Sequence, residues 1–196
     1  MKFFQTTLIC LKSIKPIIMR TTLKIAGIAL SLALVCTFAF GQGDKASRPS
    51  PPATASGKVG DANITIDYSS PAVKGRKIWG ELVPYGEVWR AGANEATVFK
   101  TDKDIKVEGK TLPAGQYSLF ATPGENEWTI IFNSQTGQWG IKRGGVANRD
   151  PANDVLAVTV KPKKSSTMNE RLTYTVNNQG FVLAWENLEV PVSIKK

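Results

Sequence analysis

The sequence predicts an all-β domain: an antiparallel β-sandwich of about eight strands, with a partly closed β-barrel as the alternative. Three observations carry this. Beyond Gly57, apolar residues alternate with polar ones at period two through most of the chain. Clusters of Gly, Pro and Asn interrupt the alternation at short intervals. No stretch there sustains a capped apolar stripe of period 3.6; residues 77–82 have room for a single helical turn at most.

Residues 1–41 read as a signal peptide whose true start is Met19. Arg20 and Lys24 precede an apolar run over 25–40, and Ala39 and Gly41 stand at the −3 and −1 positions of a small-residue cleavage site. Gln42 is then the first mature residue. The run is short for a span, so no membrane insertion is expected after cleavage; an uncleaved anchor is the alternative. Val35 stands where a lipid-attachment motif needs a small residue before Cys36, which argues against an anchor there. The expected location is periplasmic or secreted.

Removing this leader changes the composition. Both cysteines lie inside it, so the mature chain has no disulfide and no thiolate chemistry. Five of the 25 basic residues and no acid go with it, leaving 20 basic residues against 16 acidic, a net charge of +4 rather than +9. Residues 42–57, rich in Pro, Ser and Ala and poor in large apolar residues, read as a disordered linker. Residues 58–196 then form a single β domain.

Strands are expected at 62–69, where Ile64, Ile66 and Tyr68 share a face, at 96–101, at 104–108 and at 116–122. GKTLPAG and the pair Pro123-Gly124 are read as turns. Trp128, Ile130 and Phe132 face one way in the next strand, and Leu156, Val158 and Val160 share a face at 154–161. Leu172, Tyr174 and Val176 then pair through a turn at 177–180 with Phe181, Leu183 and Trp185.

One long connection, at 70–95 within the segment 68–97, departs from this pattern. It is dense in Gly, Pro, Trp and Arg, and such a connection in a compact β domain is either functional or folded back as packing. Here PAVKGRKIWGELVPYGEVWRAGANEAT is followed by GKTLPAGQYSLFATPGENEWTIIFN and by QWG at 138–140. In this order the segments KGR, LVPYG, VWR, GAN and WTIIFN resemble the DUF2911 family over residues 58–190. The resemblance implies an exported bacterial protein, typical of the Bacteroidetes, and it implies no reaction. Ser70 departs from the YSRP-like run of the family, and the stretch after Gly140 is rich in Gly and Asn rather than aromatic.

The residues present narrow the chemistry. With no histidine in the chain, Ser–His–Asp and Cys–His catalysis and the common zinc sites are excluded. Ser69 or Ser70 with Lys74 is a weak Ser–Lys pair, since Arg76 and Lys77 mark a solvated basic turn. Glu81, Glu87 and Glu95 are the acids a glycan hydrolase would draw on. Asp102 and Asp104 lack the ligand loop of a calcium site and read as a hairpin turn. Lysines at 161, 163, 164, 195 and 196 fall at a strand end and a terminus, so no nucleic-acid partner is indicated, and no cofactor or metal is implied.

The leading expectation is a non-enzymatic binding module for a polar small ligand or glycan. Its candidate ligand-binding residues are Lys74, Arg76, Trp79, Trp89, Arg90, Asn94, Glu95 and Trp139: flat aromatics with guanidinium and amide groups at their rim. The alternatives are a carboxylate-dependent glycan hydrolase and a structural or partner-binding envelope protein. The competing account of the same residues is that the tryptophans cap the sandwich and Arg90 pairs with Glu87 or Glu95.

Overall fold

A computed structural model describes residues 44–196; the leader, both cysteines and the cleavage site lie outside the described residues. Ten strands form two antiparallel sheets, with only two single-turn 3₁₀ segments beside them. The strands are β1 (Pro52–Val59), β2 (Ala62–Ser69), β3 (Thr97–Thr101), β4 (Ile105–Val107), β5 (Lys110–Leu112), β6 (Gly115–Thr122), β7 (Trp128–Asn133), β8 (Asp154–Val160), β9 (Lys163–Asn177) and β10 (Gly180–Lys195). One sheet has the order β1-β2-β3-β6-β7-β8 and the other β5-β4-β10-β9. The fold is a β-sandwich, not a closed barrel. No helix among the described residues is long and apolar enough to cross a membrane.

The alternation read from the sequence is the alternation of the core. Ile64 and Ile66 of β2, Phe99 of β3, Leu119 and Ala121 of β6, Ile130 and Phe132 of β7 and Val158 and Val160 of β8 face the second sheet. Leu172 and Tyr174 of β9 and Phe181, Leu183 and Trp185 of β10 meet them from the other side. Each large side chain so buried contributes roughly 1.5–3 kcal/mol. Because side chains alternate, Phe120 and Ile131 point to the opposite face of the first sheet. There they form a small second core with Ala96, Ala147 and Val88. The irregular connection therefore wraps the sheet: it enters the main core through Ile78, Trp79 and Val83 and ends on the outer face.

The expected linker at 42–57 is corrected from Lys45 onward. Residues 45–47 form a 3₁₀ turn, and 52–59 are edge strand β1, paired along its whole length with β2 from Pro52↔Ser69 to Val59↔Ala62. At one position of β1, Gly57, space forbids a side chain. A Cβ on Gly57 would lie 2.9 Å from the Val176 carbonyl oxygen of β9. The GKTLPAG segment likewise contains a short strand, β5, before its turn. Residues 77–82, with room for one helical turn at most, form a tight non-helical reversal, with Leu82 N–H donating to Lys77 O at 3.3 Å and Val83 N–H to Ile78 O at 2.9 Å.

β10 is sixteen residues long and is bent by bulges on either side of Glu186, whose φ is +52°. The bend brings its far end back to its start, where Ile194 N–H donates to Gln179 O at 2.9 Å.

Candidate functional site

The segment 71–93 and the hairpin 141–147 enclose a cleft of about 300 Å³. One wall is apolar: Leu82, Val83, Pro84, Val88, Ile141 and Ala147, with Trp89 and Trp185 in its floor. The polar groups of its lining include Arg76, Arg90, Glu87 and Ser50. A second depression of about 250 Å³, lined by Pro49, Ser50, Ala72, Lys74 and Arg76, shares Ser50 and Arg76 with the first.

Each wall is positioned by a specific local structure. Trp89 is pinned to the sheet by a reciprocal pair of backbone bonds with Ala121, at 2.7 and 2.9 Å. Gly86 N–H donates to Pro123 O at 2.8 Å, a second tie between the run 86–89 and the end of β6. The hairpin closes with Lys142 N–H donating to Val146 O at 2.8 Å, and its tip Lys142-Arg143-Gly144-Gly145 turns through φ values of +99° and +89° that suit only glycine.

Arg90 is the unusual member. Its Nε–H donates to Gly92 O at 3.3 Å, and its stem crosses Gly140 so closely that a Cβ there would lie 2.3 Å from Arg90 Cδ. Its Nη1 is buried with no hydrogen-bond partner. Burial pushes the guanidinium's pKa down. Neither Glu87 nor Glu95 pairs with it. Glu95 is engaged by Lys45 and Arg48, both at 3.1 Å. Partial burial pushes the Glu95 carboxyl up, but its own backbone N–H and the bonds from Arg48 and Lys45 outweigh this and hold it at about 2.

The eight residues singled out in the sequence separate into groups. Arg76, Trp89 and Arg90 line the cleft together, and Lys74 borders the adjoining depression, exposed, with its backbone N–H on Glu170 Oε1 at 3.0 Å. The Arg76 guanidinium is braced by its own turn, Nε donating to Val73 O at 3.0 Å and Nη2 to Ala72 O at 2.6 Å. Trp79 is 5% exposed and belongs to the core. Asn94 donates from Nδ2 to Ser50 O at 2.9 Å, so it and Glu95 hold the N-terminal segment against the domain. Trp139 is 48% exposed and lines neither depression.

Trp79, Trp89, Trp128 and Trp185 form one cluster. Trp79 meets Trp128 edge to face at 4.9 Å, and Trp89 stacks on Trp185 at 5.9 Å with 15° between planes. The indole N–H groups of Trp79, Trp128 and Trp185 have no oxygen acceptor, which leaves neighbouring π faces as their polar surroundings.

Other candidate chemistry is structurally committed. Ser70 Oγ donates to Leu172 O at 2.7 Å while Lys74 is exposed. Asp102 accepts from Asn63, and Asp104 Oδ1 accepts from Ala114 N–H at 2.8 Å, as turn residues do. Glu81 pairs with Lys77 on the surface at 3.1 Å, so of the three candidate acids only Glu87 lines the cleft. Outside the segment 68–97, sequence reasoning missed Ser50, Ile141, Gly145, Ala147 and Trp185 as lining residues; the Gly144-Gly145 pair was the one signal that a tight hairpin stands there.

Comparison with known proteins agrees with the motif order. No curated protein and no solved structure matches the chain. A family profile matches residues 50–194, which include the cleft and every strand core, and the chain belongs to the DUF2911 family, described as proteins of unknown function.

Proposed function

We propose that this protein is an exported, non-catalytic binding module that takes a small polar ligand in the cleft between 71–93 and 141–147. The observation that carries the reading is Arg90, which lines the cleft, forms no ion pair among the described residues and keeps its Nη1 buried without an acceptor. A charged donor left unsatisfied costs at least about 1–3 kcal/mol, and a small shift of the side chain toward an incoming oxygen acceptor would recover part of that. The cleft joins an apolar wall to a nearly equal share of polar surface, and its volume lies at the small end of the usual range of small-molecule sites, about 300–1,000 Å³. A carboxylate-pair hydrolase draws no support from a cleft lined by a single acid. Export is supported by the leader pattern at 19–41.

The test is a titration of tryptophan fluorescence and binding heat against a panel of metabolites and oligosaccharides. Binding by the wild-type protein, lost in Arg90→Gln and Trp89→Phe while both keep the wild-type circular dichroism, is the expected result. A panel without a single responder would sink the proposal.

A further inference from the structure

Resting on that reading of the cleft, we infer that its ligand is a small organic monoanion: a carboxylate seated at Arg90 and carried on an apolar or flat aromatic body. The argument is one of charge and surface. Among the described residues, neither Arg90 nor Arg76 forms an ion pair, although acids elsewhere are paired, as in Lys100–Asp67 at 2.8 Å and Arg48–Glu95 at 3.1 Å. Two guanidinium groups therefore line the cleft against one carboxylate, Glu87. The hairpin that supplies Ile141 and Gly145 also carries Lys142 and Arg143 at its tip, and Lys74 borders the adjoining depression. A site with this excess of basic groups attracts anions.

The number of negative charges is bounded by the same groups. Arg76 already spends Nε and Nη2 on the carbonyls of Val73 and Ala72, so it has one end left to offer. Arg90 spends Nε on Gly92. Glu87 on the same lining opposes a second negative charge. One guanidinium with its Nε engaged and its Nη1 buried suits a single carboxylate, held by a charge-assisted hydrogen bond. A phosphate dianion would bring its second negative charge against Glu87.

The body of the ligand follows from the remaining walls. Leu82, Val83, Pro84, Val88, Ile141 and Trp89 offer carbon surface and almost no donors or acceptors. Hydroxyls of a neutral sugar set against this wall would go unpaired, at a cost that an apolar body carrying one carboxylate avoids. Placement is set by Gly140, since the Arg90 stem passes where any larger residue would stand.

Isothermal titration with the purified full chain decides this, using four probes: phenylacetate, its neutral amide phenylacetamide, the cation phenethylamine, and glucose. Phenylacetate is expected to bind about ten- to a hundredfold more tightly than the amide, and Arg90→Gln to remove that preference. Because the acid-to-amide comparison uses wild-type protein, a poorly folding variant does not spare the inference. Equal binding of acid and amide, or binding of the cation or glucose in preference, keeps the binding-module reading and overturns the monoanion. No binding of phenylacetate, with another class of metabolite bound in the wider panel, also overturns it. No binding of any compound removes both.

Discussion

Arg90 and Gly140 act as one unit, because the path of the arginine exists only where the glycine has no side chain. Gly140→Ala is expected to lower stability by about 1–3 kcal/mol through overpacking, seen as a lower thermal midpoint, and to weaken ligand binding alongside. Tyr174 gives a second prediction at this scale. Its fully buried hydroxyl donates to Ala91 O at 2.8 Å, and the same carbonyl accepts from Thr97 Oγ1 at 3.0 Å. Burial, and to a lesser degree Tyr68, pushes this phenol well above its ordinary value, so it stays a neutral donor. Tyr174→Phe should cost only about 1 kcal/mol in urea unfolding, since the carbonyl keeps one donor. At this scale the sequence was half legible. Arginine and tryptophan in an irregular run marked Arg76, Trp89 and Arg90, but whether a tryptophan is wall or core depends on partners a hundred residues away. Trp79 is core because Trp185 of β10 packs on it edge to face at 5.7 Å.

Strands with large apolar residues were readable by alternation, whereas β1 was not. Its half-buried positions are Ala53, Ala55 and Gly57, the last held small by the close passage of Val176 of β9, and small residues carry no hydrophobic signal. Composition therefore suggested a solvated spacer where the fold has a sheet edge. Native-state trypsin should leave the Lys58–Val59 bond intact, since Lys58 is paired with Asn63, and should cut first at the exposed hairpin tip Lys142-Arg143. Rapid cleavage at Lys58 would contradict the pairing of β1. The turn before β1 has its own titration. Glu95, held at about 2 when folded and near 4.3 when unfolded, contributes stability that is complete above the unfolded value and is lost as pH falls toward 2. Between pH 5 and about 2 the wild-type urea midpoint should therefore fall more steeply than that of Glu95→Gln. Parallel slopes would mean that the Lys45–Arg48–Glu95 cluster is not formed in solution.

Across the molecule, the decisive contacts join distant parts of the chain. Ser70 bonds Leu172, Val73 N–H donates to Glu170 O at 2.7 Å, and Arg171 reaches Ser70 O at 2.9 Å. Such an arrangement must close long loops before most of its core forms, so refolding is expected on the millisecond-to-second scale of β-sandwiches. Stopped-flow fluorescence measures this directly, and a microsecond phase carrying the full amplitude would refute it. The two-sheet architecture was legible because it follows from period-two patterning alone, while the order of strands and the bend of β10 were not. Those depend on the bulges around Glu186 and on the return of Ile194 to Gln179. The four clustered indoles have one more consequence. Rings this close share their electronic excitation, so light absorbed by any of them is spread over the group. Since Trp89 and Trp185 both line the cleft and Trp89 meets each of the other three rings, a guest touching either would alter the emission and near-ultraviolet dichroism of the whole quartet. The protein thus carries its own optical gauge of occupancy, with no label to attach.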